Sequence, residues 1–591
     1  MMKHLLTLCI LLFSRSIFSQ TPGEPPKAAF LDSVEAQINL FMRKYHIVGS
    51  GVAVFQHDRV LLQKGYGFAD LKNKVPAGEN TVFRVASISK VFTATAVMQL
   101  EAAGKIDLKA PVEQYLPGLH FQYGPGMRKI TIRDLLTHTS GLTDGINNGD
   151  CCDNPAEQQA IIELVNQEVL TLPPGLTMNY SNIGYGLLGC VIEQVSGQRY
   201  GDYLKQHVFA PLGMQHSSVS APLPPAVERI KGYRKDSMEM NEPPLRDIAA
   251  GGVESSIADM TVFAQMILNQ GAGPGGDIVS KETFRQMSRN QIGDIVLQTD
   301  EMFGYGLFIT YLGTNADDTI GSGLLHGGDL FNHHAVLAVY PKLDLGMVIL
   351  SNSEQGHTFV NVLANKIVKY FVKAEKGITL AGAKPAQFST AALAADHIDH
   401  RLLRGVYGGG GADYLRIKKV NQKKLRFLQG KHVLVMKRNA QNLYTCKFLL
   451  LRFIPVKIKD LMFAFRQEDG RIFMKTLSAG SKDAEYISMK DPEHAPIAQW
   501  RKMEGRYEPV NAFYNNYAMA PVSLKCRRNK IIVYRKSSFS EDTDSVGFNP
   551  LDDQVAISDG LARGAGATLK ILPNGNLYYS GFELKRVSGK K

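Results

Sequence analysis

The sequence predicts an α+β fold: an α/β sandwich with a mixed, mainly antiparallel sheet and a helical subdomain, followed by one or two small all-β modules. β-type runs stand at both ends of a long middle with helical periodicity, which indicates a sheet with helices packed on its faces. Beyond about residue 378, short β-type runs alternate with Gly, Asn and Asp turns, which is typical of small β-modules.

The elements of the first domain follow in chain order. Residues 29 to 45 place apolar side chains at helical spacing, and "GSGVAVFQHDRVLLQKGYGFAD" then predicts two strands around a His-Asp-Arg turn. Helical patterns recur at 87 to 103, 131 to 137, 155 to 168, 183 to 207, 256 to 269 and 280 to 287. The runs "HHAVLAVYP" and "LGMVILSN" predict two strands joined by a turn at Lys342, Leu343 and Asp344, and an amphipathic helix follows over 358 to 375.

The rear of the chain divides into a linker and two modules. We expect the first domain to cover residues 27–378, the linker residues 379–400, and the β-modules residues 401–497 and 498–591. The linker sequence "AGAKPAQFSTAALAAD" also predicts a short helix. The two modules share a Gly-X-Tyr opening, in "RGVYGG" and "EGRYEP", followed by paired basic strands, which indicates a weak internal repeat.

The beginning of the chain predicts export. Residues 1–20, "MMKHLLTLCILLFSRSIFSQ", combine a basic start, an apolar run too short to span a bilayer and a polar exit rich in small residues, the pattern of a signal peptide. Leu8 is not the small residue expected before a lipid-modified cysteine at Cys9. No later stretch approaches the ~18 to 20 consecutive apolar residues of a membrane helix. We therefore expect a periplasmic or secreted protein.

The cysteines do not indicate a disulfide framework. Of the six in the chain, only Cys9 falls in the predicted signal peptide, and the other five are an odd, widely spread set. Cys151 and Cys152 are adjacent in "NGDCCDNP", where a vicinal disulfide and two separate thiols are both open. The fold must therefore depend on its apolar cores.

Charge differs between the front and the rear of the chain. Residues 401–591 hold 35 Lys and Arg against 17 Asp and Glu, whereas the remaining residues hold 32 against 38. We interpret the basic rear as general surface character, with contact to cell-envelope polyanions left open. An exported protein is not expected to bind nucleic acid, and the oligomeric state is not predicted.

The stretch "FRVASISKVFTATAVMQLEAAGKI" places Ser87 and Lys90 one helical turn apart at the start of an apolar segment. A hydroxyl is a poor nucleophile unless an adjacent base removes its proton, and a partly desolvated lysine can have its pKa lowered enough to serve as that base. Taken alone, the pair is equally compatible with Ser87 as a helix cap and Lys90 as a snorkelling side chain.

Two further motifs favour the catalytic interpretation. In "PGLTMNYSNIGYGLLGCVIEQVSG", Tyr180 and Asn182 stand in a turn ahead of an amphipathic helix, where side chains can project into a cleft. In "LLHGGDLFNHHAVLAVY", His326, Gly327 and Gly328 stand at the entry to a β-run, where two glycines let a ligand approach the backbone.

These motifs carry a resemblance to a known superfamily. Ser-X-X-Lys at 87 to 90, Tyr-X-Asn at 180 to 182 and His-X-Gly at 326 to 328 occur in the order and approximate spacing of the serine β-lactamases and penicillin-binding proteins. "ITIRDLLTHTSGL" and "AAGGVESSIADMTVFAQM" resemble the class C β-lactamase-related branch, which includes D-amino-acid-specific peptidases and esterases. The resemblance covers roughly residues 29 to 375. It implies a β-lactamase/transpeptidase-like domain, lipocalin-like or β-barrel modules behind it, and no metal or organic cofactor.

The resemblance also implies a role for each side chain. Ser87 would attack a carbonyl and become acylated, with Lys90 as its proton acceptor. Tyr180 would exchange protons with the leaving group and later activate water. Asn182 would bind the acyl side chain of the substrate or orient Lys90. His326 would place a substrate carboxylate or support Tyr180.

Backbone groups complete the implied site. The N–H groups of Ser87 and Asp329 would form the oxyanion hole, and Gly327 and Gly328 would contact the substrate. The Asp329 carboxylate would repel an anionic substrate if its side chain faced the cleft.

The third motif begins with His where β-lactamases of the resembled branch carry Lys. A neutral imidazole attracts a carboxylate less than an ammonium does, which favours amide, peptide (including D-amino-acid) or ester substrates. A true β-lactamase and a catalytically silent cell-envelope-binding protein are the alternatives.

Other chemical signals in the sequence are weaker. The sequence contains neither a Gly-X-Ser-X-Gly nor a His-Glu-X-X-His motif. "DHIDH" at 396 to 400 predicts a solvated helix, and His333 and His334 should point to opposite faces of a strand. The loop "TDGINNGDCCDNP" is interpreted as a cleft rim in preference to a calcium site. We therefore expect no metal site.

Overall fold

The structure is a computed structural model. It describes residues 28–152, 155–219, 229–235, 237–240, 242–298, 301–311, 321–380, 395–408, 415–421, 424–429, 432–450, 454–468, 470–478, 485–490, 497–510, 521–527, 530–536, 543–558, 561 and 565–587. The predicted signal peptide and most of the predicted linker, with its short helix, lie outside these residues.

The helices of the described residues concentrate in the first domain. Their bounds are α1 Ala28–Lys44, α2 Ser89–Ala102, α3 Ile132–Leu136, α4 Ala160–Val165, α5 Asn182–Ser196, α6 Tyr200–Leu204, α7 Ala210–Leu212, α8 Ile248–Gly251, α9 Ile257–Leu268, α10 Lys281–Ser288, α11 Gly356–Lys376 and α12 Ala498–Lys502. Ser181, Ser256 and Ser280 cap α5, α9 and α10, each accepting a backbone N–H three residues further on.

The strands of the first domain lie at both ends of this helical region. They are β1 Gly49–Gln56, β2 Arg59–Asp70, β3 Val75–Pro76, β4 Val82–Arg84, β5 Gln122–Tyr123, β6 Val169–Leu170, β7 Ser218–Val219, β8 Gly232–Tyr233, β9 Glu239–Met240, β10 Val253–Ser256, β11 Ala272–Gly273, β12 Gly276–Asp277, β13 Met302–Phe303, β14 Phe308–Tyr311, β15 Ser322–Leu330, β16 His333–Tyr340 and β17 Leu345–Ser351. An eight-stranded sheet has the order β13-β14-β15-β16-β17-β1-β2-β3.

Pairing of β1 with β17 joins the two ends of the domain into that sheet. The neighbouring strands of the sheet are antiparallel, and a parallel pair occurs separately between β5 and β6. This arrangement follows from inserting the helical region between two blocks of hairpins. The predicted α+β class is confirmed, but the sheet that was expected to be mixed is antiparallel between all of its described neighbouring strands.

The two faces of the large sheet are covered by different layers. Along β16, Leu337 and Val339 pack into the core shared with α2, α5 and α9, whereas Val336 and Ala338 pack against α1 and α11. This alternation is the strand period of two. We call these sides the helical-domain face and the α11 face.

The rear of the chain forms two closed barrels. The first contains β18 Gly405–Gly408, β19 Leu415–Asn421, β20 Lys424–Gln429, β21 His432–Arg438, β22 Tyr444–Leu450, β23 Ile454–Glu468, β24 Arg471–Ser478 and β25 Glu485–Lys490. The second contains β26 Gly505–Pro509, β27 Val522–Arg527, β28 Lys530–Lys536, β29 Thr543–Pro550, β30 Val555–Ser558, β31 Thr568–Ile571, β32 Leu577–Tyr579 and β33 Phe582–Arg586.

The weak repeat in the sequence corresponds to the first strand of each barrel. Tyr407 and Tyr507 are fully buried, and each hydroxyl donates to the carbonyl oxygen four residues earlier, at 3.0 Å on Leu403 and 2.6 Å on Met503. The same short motif therefore begins both barrels with a buried tyrosine that is hydrogen-bonded to the segment before the first strand.

Three local predictions were wrong. The helix expected over 155 to 168 is confined, in the residues described there, to α4. The one expected over 183 to 207 is broken by Gly197, whose left-handed backbone (φ 71°) ends α5. Residues 396 to 400 are not helical, and His400 is buried against Tyr444 of the first barrel. Packing against the barrel overrides the helical spacing of this segment.

No helix among the described residues has both the length and the apolar character needed to cross a membrane.

Candidate active site

Ser87 and Lys90 are brought together at the start of α2. Ser87 lies in the short 3-10 turn Ala86–Ile88, and Lys90 lies in the first turn of α2. Lys90 Nζ lies 3.2 Å from Ser87 Oγ, within hydrogen-bond distance. Ala86 adopts a left-handed backbone (φ 49°), a costly conformation for a residue other than glycine that is often held at functional sites. The turn presents the half-buried hydroxyl to the lysine.

The acceptors around Lys90 determine how its amine is oriented. The side chain is fully buried, and Nζ donates at 2.7 Å to both Asn182 Oδ1 and the Ala250 carbonyl oxygen. A neutral amine has two N–H groups and one lone pair. Because those two oxygens carry no hydrogen, they take the two N–H groups, and the lone pair faces the Ser87 hydroxyl. This is the arrangement that a general base for Ser87 requires.

Tyr180 and Asn182 lie beside the same amine. They flank Ser181, the cap of α5, so the start of that helix holds both in place. The Tyr180 ring centroid is 4.9 Å from Lys90 Nζ. The Asn182 amide nitrogen donates to Asp144 Oδ1 at 3.0 Å, which turns the amide oxygen toward Lys90. Of the two roles expected for Asn182, this geometry favours orienting Lys90.

His138 supports Tyr180, although it is not one of the site residues predicted from the sequence. Its ring stacks on the Tyr180 ring at a centroid distance of 4.2 Å with an interplanar angle of 28°. Its Nδ1 accepts the Ser181 N–H at 3.1 Å, so in the neutral ring the proton is on Nε2. The sequence feature that could have identified His138 is the phrase "ITIRDLLTHTSGL", which contains it.

His326 lies on the helical-domain face of β15 and is almost fully buried. Its Nδ1 is 2.6 Å from the Gly327 carbonyl oxygen. Burial, reinforced by the charge of Lys90, lowers the His326 pKa from 6.5 to about 3. The imidazole is therefore neutral near pH 7, which weakens the expected role of placing a substrate carboxylate. The other expected role, supporting Tyr180, stays a prediction.

The two glycines after His326 have different surroundings. A Cβ on Gly328 would lie 2.3 Å from the carbonyl oxygen of Val85, two residues before Ser87. The nearest atom to a Cβ on Gly327 would be 3.9 Å away. Gly328 is therefore what lets β15 lie against the segment that carries Ser87.

The Asp329 side chain points away from the cleft. Asp329 is the cross-strand partner of His334, on the α11 face, and its Oδ1 lies 2.7 Å from His334 Nδ1. His333 points to the other face and pairs with Glu242 at 2.5 Å. The expectation that the two histidines diverge is confirmed, and the carboxylate does not line the cleft.

An aromatic row connects the second and third motifs. The rings run from His138 through Phe303 and Phe308 to His326, with successive centroid distances of 5.3, 4.7 and 5.5 Å. The two phenylalanines lie on β13 and β14, outside the three sequence motifs. Only the packing of these strands reveals that they belong to the wall of the site.

The loop that carries Asp144 is held by a buried guanidinium. Arg246 donates to the carbonyl oxygens of Ile146 at 2.9 Å and Asn148 at 2.7 Å, and it also pairs with Asp247 at 2.6 Å. A cation therefore already uses these loop oxygens. The arrangement agrees with a structured cleft rim and gives no support to a calcium site there.

The second barrel contacts the same loop. The turn between β32 and β33 brings Ser580 and Gly581 to it: Ser580 Oγ accepts the Asn147 N–H at 3.0 Å, and the Gly581 carbonyl accepts from Asn148 Nδ2 at 2.8 Å. The rear module thus supports the loop that orients Asn182 through Asp144.

A buried carboxylate strengthens this interface. Glu168, in the first domain, accepts the Tyr578 hydroxyl at 2.8 Å and the Thr568 N–H at 2.9 Å. Burial raises the Glu168 pKa despite these donors. The interface between the domain and the second barrel is therefore specific and desolvated.

Comparisons with known proteins agree with the fold. A family model described as Beta-lactamase matches residues 34–370. Protein flp of Staphylococcus aureus (strain MW2) is 28% identical over 336 residues, 56% of this chain and 65%, just under two thirds, of that protein. Putative penicillin-binding protein PbpX of Bacillus subtilis (strain 168) is 27% identical over 335 residues, 56% of this chain and 77% of that protein.

A solved structure shows the likeness beyond the first domain. The octameric penicillin-binding protein homologue from Pyrococcus abyssi has a TM-score of 0.51 at 22% identity, and the superposition covers 78% of this chain and all (100%) of that chain. At this identity the likeness establishes the fold.

Replacing Gly328 by alanine should destabilise the protein by about 1 to 3 kcal/mol, because the new Cβ would lie 2.3 Å from the Val85 carbonyl oxygen. Gly327→Ala is the matched control and should keep the wild-type free energy of unfolding. Denaturant unfolding of the two variants checks this. Equal stability of the two variants would contradict the close approach of β15 to the Ser87 segment.

The buried His326 should make stability depend on pH. The folded protein resists protonating this ring until about pH 3, whereas the unfolded chain takes up the proton near 6.5. The unfolded state therefore binds more protons between these values, and stability falls as the pH falls, by at most about 1.4 kcal/mol per pH unit. Unfolding free energies at pH 4 to 7.5 should fall less steeply in His326→Gln than in the wild type. Parallel curves would show that this histidine does not titrate differently on folding.

Proposed function

The chain belongs to the beta-lactamase family, whose members are typically serine hydrolases, and from this we propose that it is an exported enzyme that forms an acyl-enzyme on Ser87. The substrates are amides, peptides, including those of D-amino acids, or esters. The observation that carries the proposal is the buried Lys90 amine, which has two hydrogen-free acceptors at 2.7 Å and the Ser87 hydroxyl at 3.2 Å.

The reaction starts from neutral Lys90. Its lone pair accepts the Ser87 proton as Oγ attacks the substrate carbonyl, and a C–O bond forms while the carbonyl becomes an oxyanion. The backbone N–H groups of Ser87 and Asp329 stabilise this charge, with each such donor contributing about 3 to 4 kcal/mol. The close approach of Gly328 to Val85 supports this pairing, since it brings the two backbone segments together.

The leaving group departs with a proton that Tyr180 supplies. The Tyr180 phenolate that results is stabilised by the lysinium formed in the first step, whose Nζ lies 4.9 Å from the Tyr180 ring centroid. His138, stacked on the Tyr180 ring, limits its movement. Water then attacks the acyl-enzyme and the Tyr180 phenolate takes its proton. The bond between Ser87 Oγ and the acyl carbon breaks as Oγ takes the Lys90 proton, which restores the serine hydroxyl and the neutral amine and releases a carboxylic acid product.

The neutral third motif supports the choice of substrate. With the His326 pKa near 3, this motif offers no positive charge at neutral pH to hold the carboxylate of a β-lactam antibiotic. Asp329, at the end of the motif, is turned to the α11 face and adds no charge to the cleft. Peptide amides and esters, which the enzyme can bind through backbone and apolar contacts, fit this site better.

A serine-directed fluorophosphonate probe tests the nucleophile. The wild-type protein should be labelled at Ser87, Ser87→Ala should not be labelled, and Lys90→Ala should be labelled about 10² to 10⁴ times more slowly, because a general base contributes that much. Ser33→Ala, which removes an exposed serine of α1, is the matched control and should be labelled at the wild-type rate. Lack of labelling by every acylating probe would instead support a catalytically silent binding protein.

A substrate panel tests the class of reaction. D-aminoacyl amides, short-chain esters and cephalosporins are compared by kcat/KM. We expect turnover of an amide or ester, and with cephalosporins only slow turnover or a long-lived acyl-enzyme, because His326 is neutral. Rapid turnover of nitrocefin with fast deacylation would contradict this and identify a β-lactamase.

A further inference from the structure

A second polar cluster lies on the α11 face of the sheet, behind the third motif. Asp329 Oδ1 is 2.7 Å from His334 Nδ1 and 2.8 Å from His357 Nδ1. The three atoms all lie within 4.8 Å of one another. They come from β15, β16 and the first turn of α11, so tertiary packing brings together two imidazoles and a carboxylate that are dispersed in the sequence.

Local features of the fold hold this arrangement. Asp329 and His334 are directly opposite each other on adjacent antiparallel strands. Gly356 lets α11 begin close to them, because a Cβ there would lie 2.6 Å from His334 Cδ2 and 2.7 Å from Ser351 Oγ. His357 follows immediately and places its ring over the pair.

One side chain of the cluster is buried and the other two are exposed to solvent. The His334 side chain is 9% exposed, whereas those of Asp329 and His357 are 51% and 62% exposed. An ion can therefore reach the cluster from solvent. Tetrahedral zinc with bonds of about 2.0 to 2.1 Å would hold its ligand atoms roughly 3.3 Å apart. The two separations from Asp329 Oδ1, 2.7 and 2.8 Å, would lengthen by about half an ångström, and the two imidazole nitrogens, within 4.8 Å of each other, would adjust to the same spacing.

A buried hydroxyl, that of Ser351, borders Gly356 together with the His334 ring. When a histidine binds a metal through Nδ1, its proton is on Nε2, and that N–H normally donates to a neighbouring group. His334 Nε2 and Ser351 Oγ are both buried, and within the described parts of the chain neither has a hydrogen-bond partner. They belong to cross-strand partners on the same face and both border Gly356.

We propose that Asp329, His334 and His357 form a binding site for a divalent transition-metal ion of the zinc type, with water as the fourth ligand. Two imidazoles and a carboxylate suit zinc far better than magnesium or calcium, which prefer oxygen ligands. The ion would tie the β15–β16 hairpin to α11. Because the site is on the opposite face of the sheet from Ser87, it stabilises the strand that carries the third motif and takes no part in acyl transfer.

Zinc binding to the untagged, chelator-treated full chain tests the proposal. Equilibrium dialysis should give one high-affinity zinc ion per chain, and His357→Asn should weaken that binding at least ~10-fold. His57→Asn is the matched control, because the His57–Asp344 pair is similarly exposed, at 68% and 51%, but has no third ligand within the described residues. Asparagine is chosen because it tolerates the positive φ of 46° at position 57.

A second measurement separates ligand loss from misfolding. Zinc should raise the unfolding temperature of the wild type and of His57→Asn, and should leave that of His357→Asn unchanged. Without zinc, the three proteins should unfold at the same temperature. Equal zinc affinity of the two variants, or no tight site in the wild type, would overturn the proposal and leave a hydrogen-bonded Asp-His-His cluster.

The outcome is independent of the enzymatic proposal. Ser87→Ala should bind zinc like the wild type, and His357→Asn should still be labelled at Ser87 by the fluorophosphonate probe. Zinc binding without labelling would contradict the proposed function alone, and labelling without zinc binding would contradict the metal site alone.

Discussion

The buried amine of Lys90 is the interaction on which the first domain depends. A polar group taken out of water costs several kcal/mol unless it finds partners. Here the partners come from separate elements: Ser87 from the 3-10 turn, Asn182 from α5 and the Ala250 carbonyl from α8. The helices must therefore converge on one point. The contacts that make the burial of this lysine tolerable also aim its lone pair at the serine, so stability and chemistry depend on the same geometry.

The large sheet separates two chemical environments. Because successive side chains of a strand point to opposite faces, His326 and Gly328 lie on the cleft side, whereas Asp329 lies on the α11 side. Residues 326 to 329 thus contribute to the cleft and to the α11 face. Asp329 directly follows the cleft residues in sequence, but its side chain points to the opposite face of the sheet, where it contacts His334 and His357.

The rear of the chain helps to hold the active-site residues of the first domain in place. The second barrel reaches the first domain through Glu168, which is buried against Tyr578, and through the Ser580 turn, which holds the loop after Asp144. Asp144 in turn orients the amide that binds the lysine. The basic composition of the rear did not predict this contact, because specific hydrogen bonds between distant segments leave no trace in net charge.

Local periodicity along the chain was enough to predict the α+β class, the two β-modules and the helical spacing that joins Ser87 to Lys90. It could not reveal that His138 stacks on Tyr180 or that the Ala250 carbonyl receives the amine, because these contacts depend on how apolar faces more than forty residues apart pack together. These contacts exist only once the separate elements have packed together. Helical and strand periodicity determines which residues close in sequence lie on the same face of an element. Which residues of other elements contact that face depends on how the whole core packs.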